Sequence, residues 1–133
     1  MGGLTLDGRL VMHVQDTSYK GPDVVRFLQL LLRKIAGKLL VIWDGAPIHR
    51  CQAVKDFLAH GGAKRIHLER LPSYAPELNP QEGVWNLLKR RELKNLCVAD
   101  FGQLAGELLH AKERLRHRKT VLRQCIAHAG FPL

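Results

Sequence analysis

The spacing of apolar residues changes several times along the chain, and each change marks an element. Leu4-Thr5-Leu6, the pair Asp7-Gly8 and the run Arg9–Gln15 predict a hairpin with a very short first arm, because Asp-Gly suits the positive φ angles of a two-residue turn. Gly21-Pro22-Asp23 opens a helix, with proline preset for the first turn and an acid at the positive end of the dipole. Val24, Leu28, Leu31 and Ile35 form its apolar stripe, Phe27 and Leu32 widen it, and Gly37 stops it. Leu39-Leu40-Val41-Ile42-Trp43 is an unbroken apolar run between Lys38 and Asp44, the pattern of a strand covered on both faces in a mostly parallel sheet. A helix follows from about Arg50 to His60, with Ala53, Val54, Phe57 and Leu58 inward and Gly61-Gly62 as its exit. Arg65–Leu71 alternates and predicts a second, less buried strand.

Pro72–Leu78 reads as a loop, and a helix runs from Pro80 to about Asn95. The stretch from Asp100 to roughly Ala129 is one long helical segment, with Leu104, Leu108, Ala111 and Leu115 on one stripe. Strands alternating with helices imply crossover connections and an α/β layered sheet.

Composition narrows the class. The chain has 133 residues, which suits a single domain over 1–133 and buries roughly two-thirds of the surface of the unfolded chain. It is 46% hydrophobic and 25% charged, ordinary for a globular protein and unlike a disordered one. The net charge of +9 points to a polyanionic partner, nucleic acid before an anionic membrane surface. No apolar run approaches the ~18–20 residues that cross a bilayer, and the first residues lack the pattern of a signal peptide. Cys51, Cys97 and Cys125 stand far apart without a Cys-x-x-Cys pair, which predicts reduced thiols in a cytoplasmic protein.

Two acids stand out. Asp44 follows the apolar strand directly, where open α/β sheets place their ligands, and Gly45-Ala46-Pro47 then turns the chain. The competing reading is a turn or cap aspartate. Glu82 stands in Asn79-Pro80-Gln81-Glu82, where Asn79 is an N-cap, Pro80 the first helical residue and Glu82 the acid of a capping-box-like pattern. A layered sheet with crossovers allows both acids on one sheet edge. Hard Mg²⁺ takes oxygen ligands, and two such ions can hold the attacking and leaving oxygens of a phosphodiester.

Two longer stretches are more specific. Leu39-Leu40-Val41-Ile42-Trp43-Asp44-Gly45-Ala46-Pro47-Ile48-His49 and Leu71-Pro72-Ser73-Tyr74-Ala75-Pro76-Glu77-Leu78-Asn79-Pro80-Gln81-Glu82-Gly83-Val84-Trp85 resemble a pair of signatures in mariner-like bacterial insertion-sequence transposases, of the DDE endonuclease superfamily. The first is similar to the family's strand ending in its second catalytic Asp. The second is similar to its Leu-Pro-x-Tyr-x-Pro-x-Leu-Asn-Pro-x-Glu-x-x-Trp block, whose Glu is the third catalytic acid. The resemblance covers essentially the whole chain. It implies an α/β, ribonuclease-H-like mixed sheet flanked by helices, with Asp44 and Glu82 as catalytic metal ligands for a two-metal Mg²⁺ or Mn²⁺ site. It further implies hydrolysis at a transposon end followed by strand transfer, on double-stranded DNA, in the bacterial cytoplasm near the nucleoid.

The resemblance also defines what is missing. The family's first catalytic Asp lies on a strand before the opening hairpin, and its DNA-reading helix-turn-helix domain comes earlier still. The expectation is therefore an N-terminally truncated catalytic domain that lacks its first, central strand and carries an exposed edge. Asp7 and Asp16 are poor substitutes, Asp7 because an Asp-Gly turn explains it. Two competitors remain: a non-catalytic remnant that binds DNA, forms a homodimer or pairs with a full-length transposase, and a small phosphatase-like enzyme with Asp44 as nucleophile. The latter lacks a second acid two positions later, since position 46 is Ala.

DNA contacts are expected from several residues. His49 and Tyr74 flank the two acids along the chain. Lys89, Arg90, Arg91 and Lys94 against Glu92 give +3 in six residues, and Lys112, Arg114, Arg116, Arg118, Lys119 and Arg123 against Glu113 give +5 in twelve. Such runs grip phosphates or simply form solvated helix faces. Trp43 is expected in the core and Trp85 beside the Glu82 helix, while His110, His117 and His128 are expected at the surface.

Overall fold

The computed structural model describes residues 1–92 and 99–131. The chain divides into two compact units, one of Thr17–Ala75 and one of Met1–Asp16 with Pro76–Leu133.

The Thr17–Ala75 unit opens with α1, Gly21–Lys34. The Asp23 carboxylate accepts the Lys20 backbone N–H at 2.8 Å and so satisfies a donor at the helix start. Val24, Leu28 and Leu31 of the expected stripe are buried together with Phe27, while Leu32 is half-buried and Ile35 is the half-buried C-cap just past the helix. At the other end Arg65 serves the carbonyls that a helix terminus leaves open: its guanidinium donates to the oxygens of Leu32, Ile35 and Gly37. This ties α1 to the start of the second strand of the unit. Strand β3, Leu39–Trp43, pairs in parallel with β4, Ile66–Arg70, in a register running from Leu39↔Ile66 to Trp43↔Arg70. The crossover between them is a 3-10 turn, Pro47–Arg50, followed by α2, Gln52–Ala59, which buries Val54 and packs on α1. The helix thus starts two residues later than its apolar pattern implied, because Pro47 and the Ala46 carbonyl form the tighter turn first.

Among the described residues, strand β3 is covered on one face only. Leu40 is 61% and Ile42 41% exposed, while Leu39, Val41 and Trp43 are half-buried. The parallel register puts Leu40 beside His67 and Ile42 beside Glu69, so the open face is shared with a surface His–Glu pair 2.7 Å apart. An apolar run shows that both faces suit burial; it does not supply the second layer.

In the other unit β1, Gly2–Leu4, pairs antiparallel with β2, Leu10–Met12. The hairpin is shorter than expected and its turn is longer. Thr5 N–H donates to the Arg9 carbonyl and Gly8 N–H to the Thr5 carbonyl, with Gly8 at φ +85°, which makes Leu6-Asp7-Gly8 a three-residue loop. The cause is side-chain chemistry: the Thr5 hydroxyl donates to the Asp7 carboxylate and accepts the Arg9 N–H at 2.9 Å, closing the loop one residue wider. The core joins Leu10 and Met12 of the hairpin to Val84, Leu88, Ala111, Leu115 and Leu122.

Those residues come from three helices. The first, α3, is Pro80–Leu87, continued by one π turn at Leu88–Glu92. Next is α4, Phe101–Arg116, capped by the Asp100 carboxylate on Gln103 N–H at 2.8 Å. Last is α5, Lys119–His128. The expected long segment is therefore two helices, broken at Arg118, whose φ of −105° and ψ of 58° are not helical. One helix over those roughly 28 residues would be about 42 Å long, too long for its stripe to find partners in a unit of this size.

The described residues thus build two separate two-stranded sheets, one antiparallel and one parallel, rather than one mixed sheet. Among them no helix is long and apolar enough to cross a membrane.

Candidate catalytic site

Asp44 is the first residue past β3, at the carboxyl end of a parallel strand pair, where ligands of open α/β sheets bind. Its Oδ1 accepts the Ala46 N–H at 3.1 Å, so the turn role and the strand-end position coexist. His49 approaches the same group: its Nδ1 lies 3.0 Å from Asp44 Oδ1 and 3.1 Å from the Asp44 carbonyl oxygen. The His49 ring is itself fixed, stacked on Trp43 with centroids 4.2 Å apart and planes 6° from parallel. Ala46 and His49 both engage Oδ1. Among the described residues Oδ2 has no such partner, and the side chain is 58% exposed, so an oxygen is available to a ligand. The 3-10 turn at Pro47–Arg50 is what brings His49 back over the strand end.

Arg70 completes this edge, and no motif in the chain announces it. It closes β4 directly opposite Trp43, and its side chain lies across Gly45: a Cβ at Gly45 would stand 2.9 Å from Arg70 Cδ and 3.7 Å from Nε. The parallel register creates this neighbour, and register is invisible in a pattern of alternating residues.

Glu82 lies on the first turn of α3 in the other unit. The Asn79 side chain caps the helix by accepting Gln81 N–H at 3.1 Å. The Glu82 carboxylate takes no part in that cap: it is exposed, and among the described residues it has no hydrogen-bond or ion-pair partner. The capping-box reading of Glu82 therefore falls, because the cap is closed by Asn79 alone. Gly83 fixes where α3 runs, since a Cβ there would stand 3.0 Å from Cys125 Sγ, so the bare backbone lets α3 and α5 approach closely. Partial burial also pushes the Cys125 thiol above its ordinary pKa.

Oxygen-only donors with open lone pairs suit a hard divalent cation. Among the described residues, however, no three His, Cys, Asp or Glu side chains gather as a metal site. Asp7 is occupied otherwise, bonded by the Thr5 hydroxyl and paired with Arg9 at 3.2 Å; the first of these, helped by the Arg9 charge, holds its carboxyl below the ordinary value. Asp16 is exposed at the end of its segment.

The expected DNA-contacting residues fall as follows. Tyr74 is fully exposed and sits at φ +56°, a left-handed conformation uncommon for a tyrosine. Lys89 and Arg90 are exposed on the π turn that also holds Arg91, and Lys94 lies outside the described residues. Arg114 and Arg116 end α4, Arg118 bends the chain and Lys119 starts α5. Arg116 also pairs with Glu113 at 3.6 Å, an exposed contact worth little. Arg123, Lys119 and the Gly8 turn pack together, which adds the hairpin loop to the same cationic surface.

Comparison with known families matches residues 1–105 to the DDE superfamily endonuclease family. The chain belongs to the DDE superfamily of endonucleases, and both acid-bearing stretches fall inside the match. Membership implies a DNA substrate and the divalent metals these enzymes generally use. Searches of curated proteins and of solved structures return no match.

Proposed function

We propose that the chain is the catalytic part of a mariner-like bacterial insertion-sequence transposase with a ribonuclease-H-like fold. It hydrolyses a phosphodiester at a transposon end and joins the freed 3′-hydroxyl to target DNA. The observation that carries this reading is Asp44 at the carboxyl end of a parallel strand, with one oxygen engaged by Ala46 and His49 and the other open. The unused Glu82 carboxylate supports it.

In this reading Asp44 and Glu82 hold two Mg²⁺ or Mn²⁺ ions, which when bound stabilise the attacking and leaving oxygens. The chain's own residues do the rest. His49 and Trp43 fix the direction of the Asp44 carboxylate. The cations of α4, α5 and the Lys89–Arg90–Arg91 turn hold the DNA backbone, and Tyr74 offers an exposed ring to the same ligand. Residues 1–133 act as one domain, and a further strand with a third acid joins the free edge of β3, which among the described residues pairs only with β4.

One observation favours a second reading, a DNA-binding remnant that pairs with a full-length copy: no third ligand stands with either acid among the described residues. Nicking of supercoiled plasmid in Mg²⁺ separates the two. The catalytic reading predicts nicking once a polypeptide carrying the third acid is supplied, abolished again in Asp44→Asn and in Glu82→Gln. Nicking that survives Glu82→Gln contradicts it, and no nicking under any supplement leaves the remnant.

A further inference from the structure

Arg70 is an exposed arginine that makes no hydrogen bond or ion pair among the described residues. It nevertheless has a defined place. Its strand runs parallel to β3, so its backbone ends beside Trp43, and Leu71 N–H donates to the Trp43 carbonyl at 2.7 Å. Its stem lies on the bare backbone of Gly45, the residue after Asp44, with Cγ 3.6 Å and Nε 3.7 Å from where a Cβ would be. Gly45 is not at a positive φ, so its backbone does not require glycine; the close approach of Arg70 does. The result is a guanidinium that makes no hydrogen bond among the described residues, on a stem lying against the residue that follows Asp44, whose carboxylate keeps one oxygen open among those residues. A fork of N–H donors near a strand-end acid can grip a phosphate, and a cation held by the acid would neutralise the charge on that phosphate's other oxygens.

We infer that Arg70 holds a phosphate of the DNA backbone at the Asp44 site and that Gly45 is the residue that admits it there. This rests on the reading of Asp44 as the centre of a phosphodiester site. The grip differs from that of the basic runs on α4 and α5, which lie in the other unit.

The test is a thermodynamic cycle on the whole chain, with a labelled 20-base-pair duplex titrated at several salt concentrations. Arg70→Ala is expected to weaken binding about five- to tenfold at 0.1 M salt and to lower the slope of log K against log salt by about 0.9, the share of one phosphate. Arg70→Lys keeps the charge and is expected to restore the slope. Gly45→Ala fits the backbone but its methyl displaces the flexible Arg70 stem, so it should weaken binding as Arg70→Ala does. The double variant should bind no worse than Arg70→Ala alone, because Gly45 acts only through Arg70. Unchanged affinity and slope in Arg70→Ala, or full additivity in the double variant, overturns the inference.

Mn²⁺ quenching of Trp43 fluorescence, read in a Trp85→Phe background, reports on Asp44 separately. Asp44→Asn should abolish it and Arg70→Ala should leave it intact. Quenching unaffected by Asp44→Asn sinks the metal reading while the salt slope still judges Arg70. Quenching abolished in Arg70→Ala makes Arg70 a structural support of Asp44 and overturns the inference.

Discussion

His49 Nδ1 lies 3.0 Å from Asp44 Oδ1, and the stacking of the ring on Trp43 sets the direction from which it approaches. A carboxylate that must bind a metal gains from such a partner, because the unused oxygen is held in one orientation. His49→Ala should therefore weaken Mn²⁺ binding at Asp44 by about 10- to 100-fold without unfolding the chain. Fluorescence titration of Trp43 checks this, and unchanged affinity would reduce His49 to a packing partner of the tryptophan.

Sequence-independent binding to duplex DNA should come mostly from the cationic runs. Reversing the charge at Arg90, Arg91, Arg116 and Lys119 together should flatten the salt dependence by about 0.9 for each phosphate no longer neutralised. Electrophoretic mobility or anisotropy across a salt series measures it. An unaltered slope would make these residues solvated helix faces only.

Stability should divide along the burial pattern. Leu122 is fully buried in the core of its unit, and Leu122→Ala should cost about 2–5 kcal/mol in urea unfolding. Ile42 stands on the open face of β3, and Ile42→Thr should cost under about 1 kcal/mol. A large destabilisation at Ile42 would mean that this face is covered in solution.

The hairpin turn should respond to acid. Asp7 is held below its ordinary value of 3.8, first by the Thr5 hydroxyl and then by the Arg9 charge. A depressed folded value means that Asp7 contributes stability above its unfolded pKa, and that the contribution disappears as pH falls from 3.8 through the folded value. The group is exposed, so the effect is small. Carboxyl titration by NMR should show the Asp7 midpoint rising in Thr5→Ala; an unmoved midpoint would remove the hydroxyl as its cause.

The parts of this chain legible in its sequence are those set by local chemistry. The α1 stripe, the Asn79 cap, the β3 and β4 strands and the strand-end position of Asp44 all follow from spacing and from single residues with strong preferences. The differences arise where a distant partner decides. Leu40 and Ile42 have the apolarity of covered residues, but among the described residues no layer covers them. The helix from residue 100 bends at Arg118 without glycine or proline, because the core around Leu115 and Leu122 admits only shorter rods. Thr5 widens the hairpin turn through side-chain bonds that Asp7-Gly8 alone does not predict. Arg70 joins the Asp44 edge through a register that no single strand encodes. Glu82 is the opposite case: its helical position suggests a cap, and among the described residues its carboxylate has no partner.

The most direct test of the two-acid site is a crystal structure of the chain soaked in Mn²⁺, read by anomalous scattering. The account predicts manganese bound by both Asp44 and Glu82, with the two carboxylates within about 10 Å of each other, close enough to share ions ~3.5–4 Å apart. Carboxylates on opposite edges, or manganese bound at neither, would contradict it.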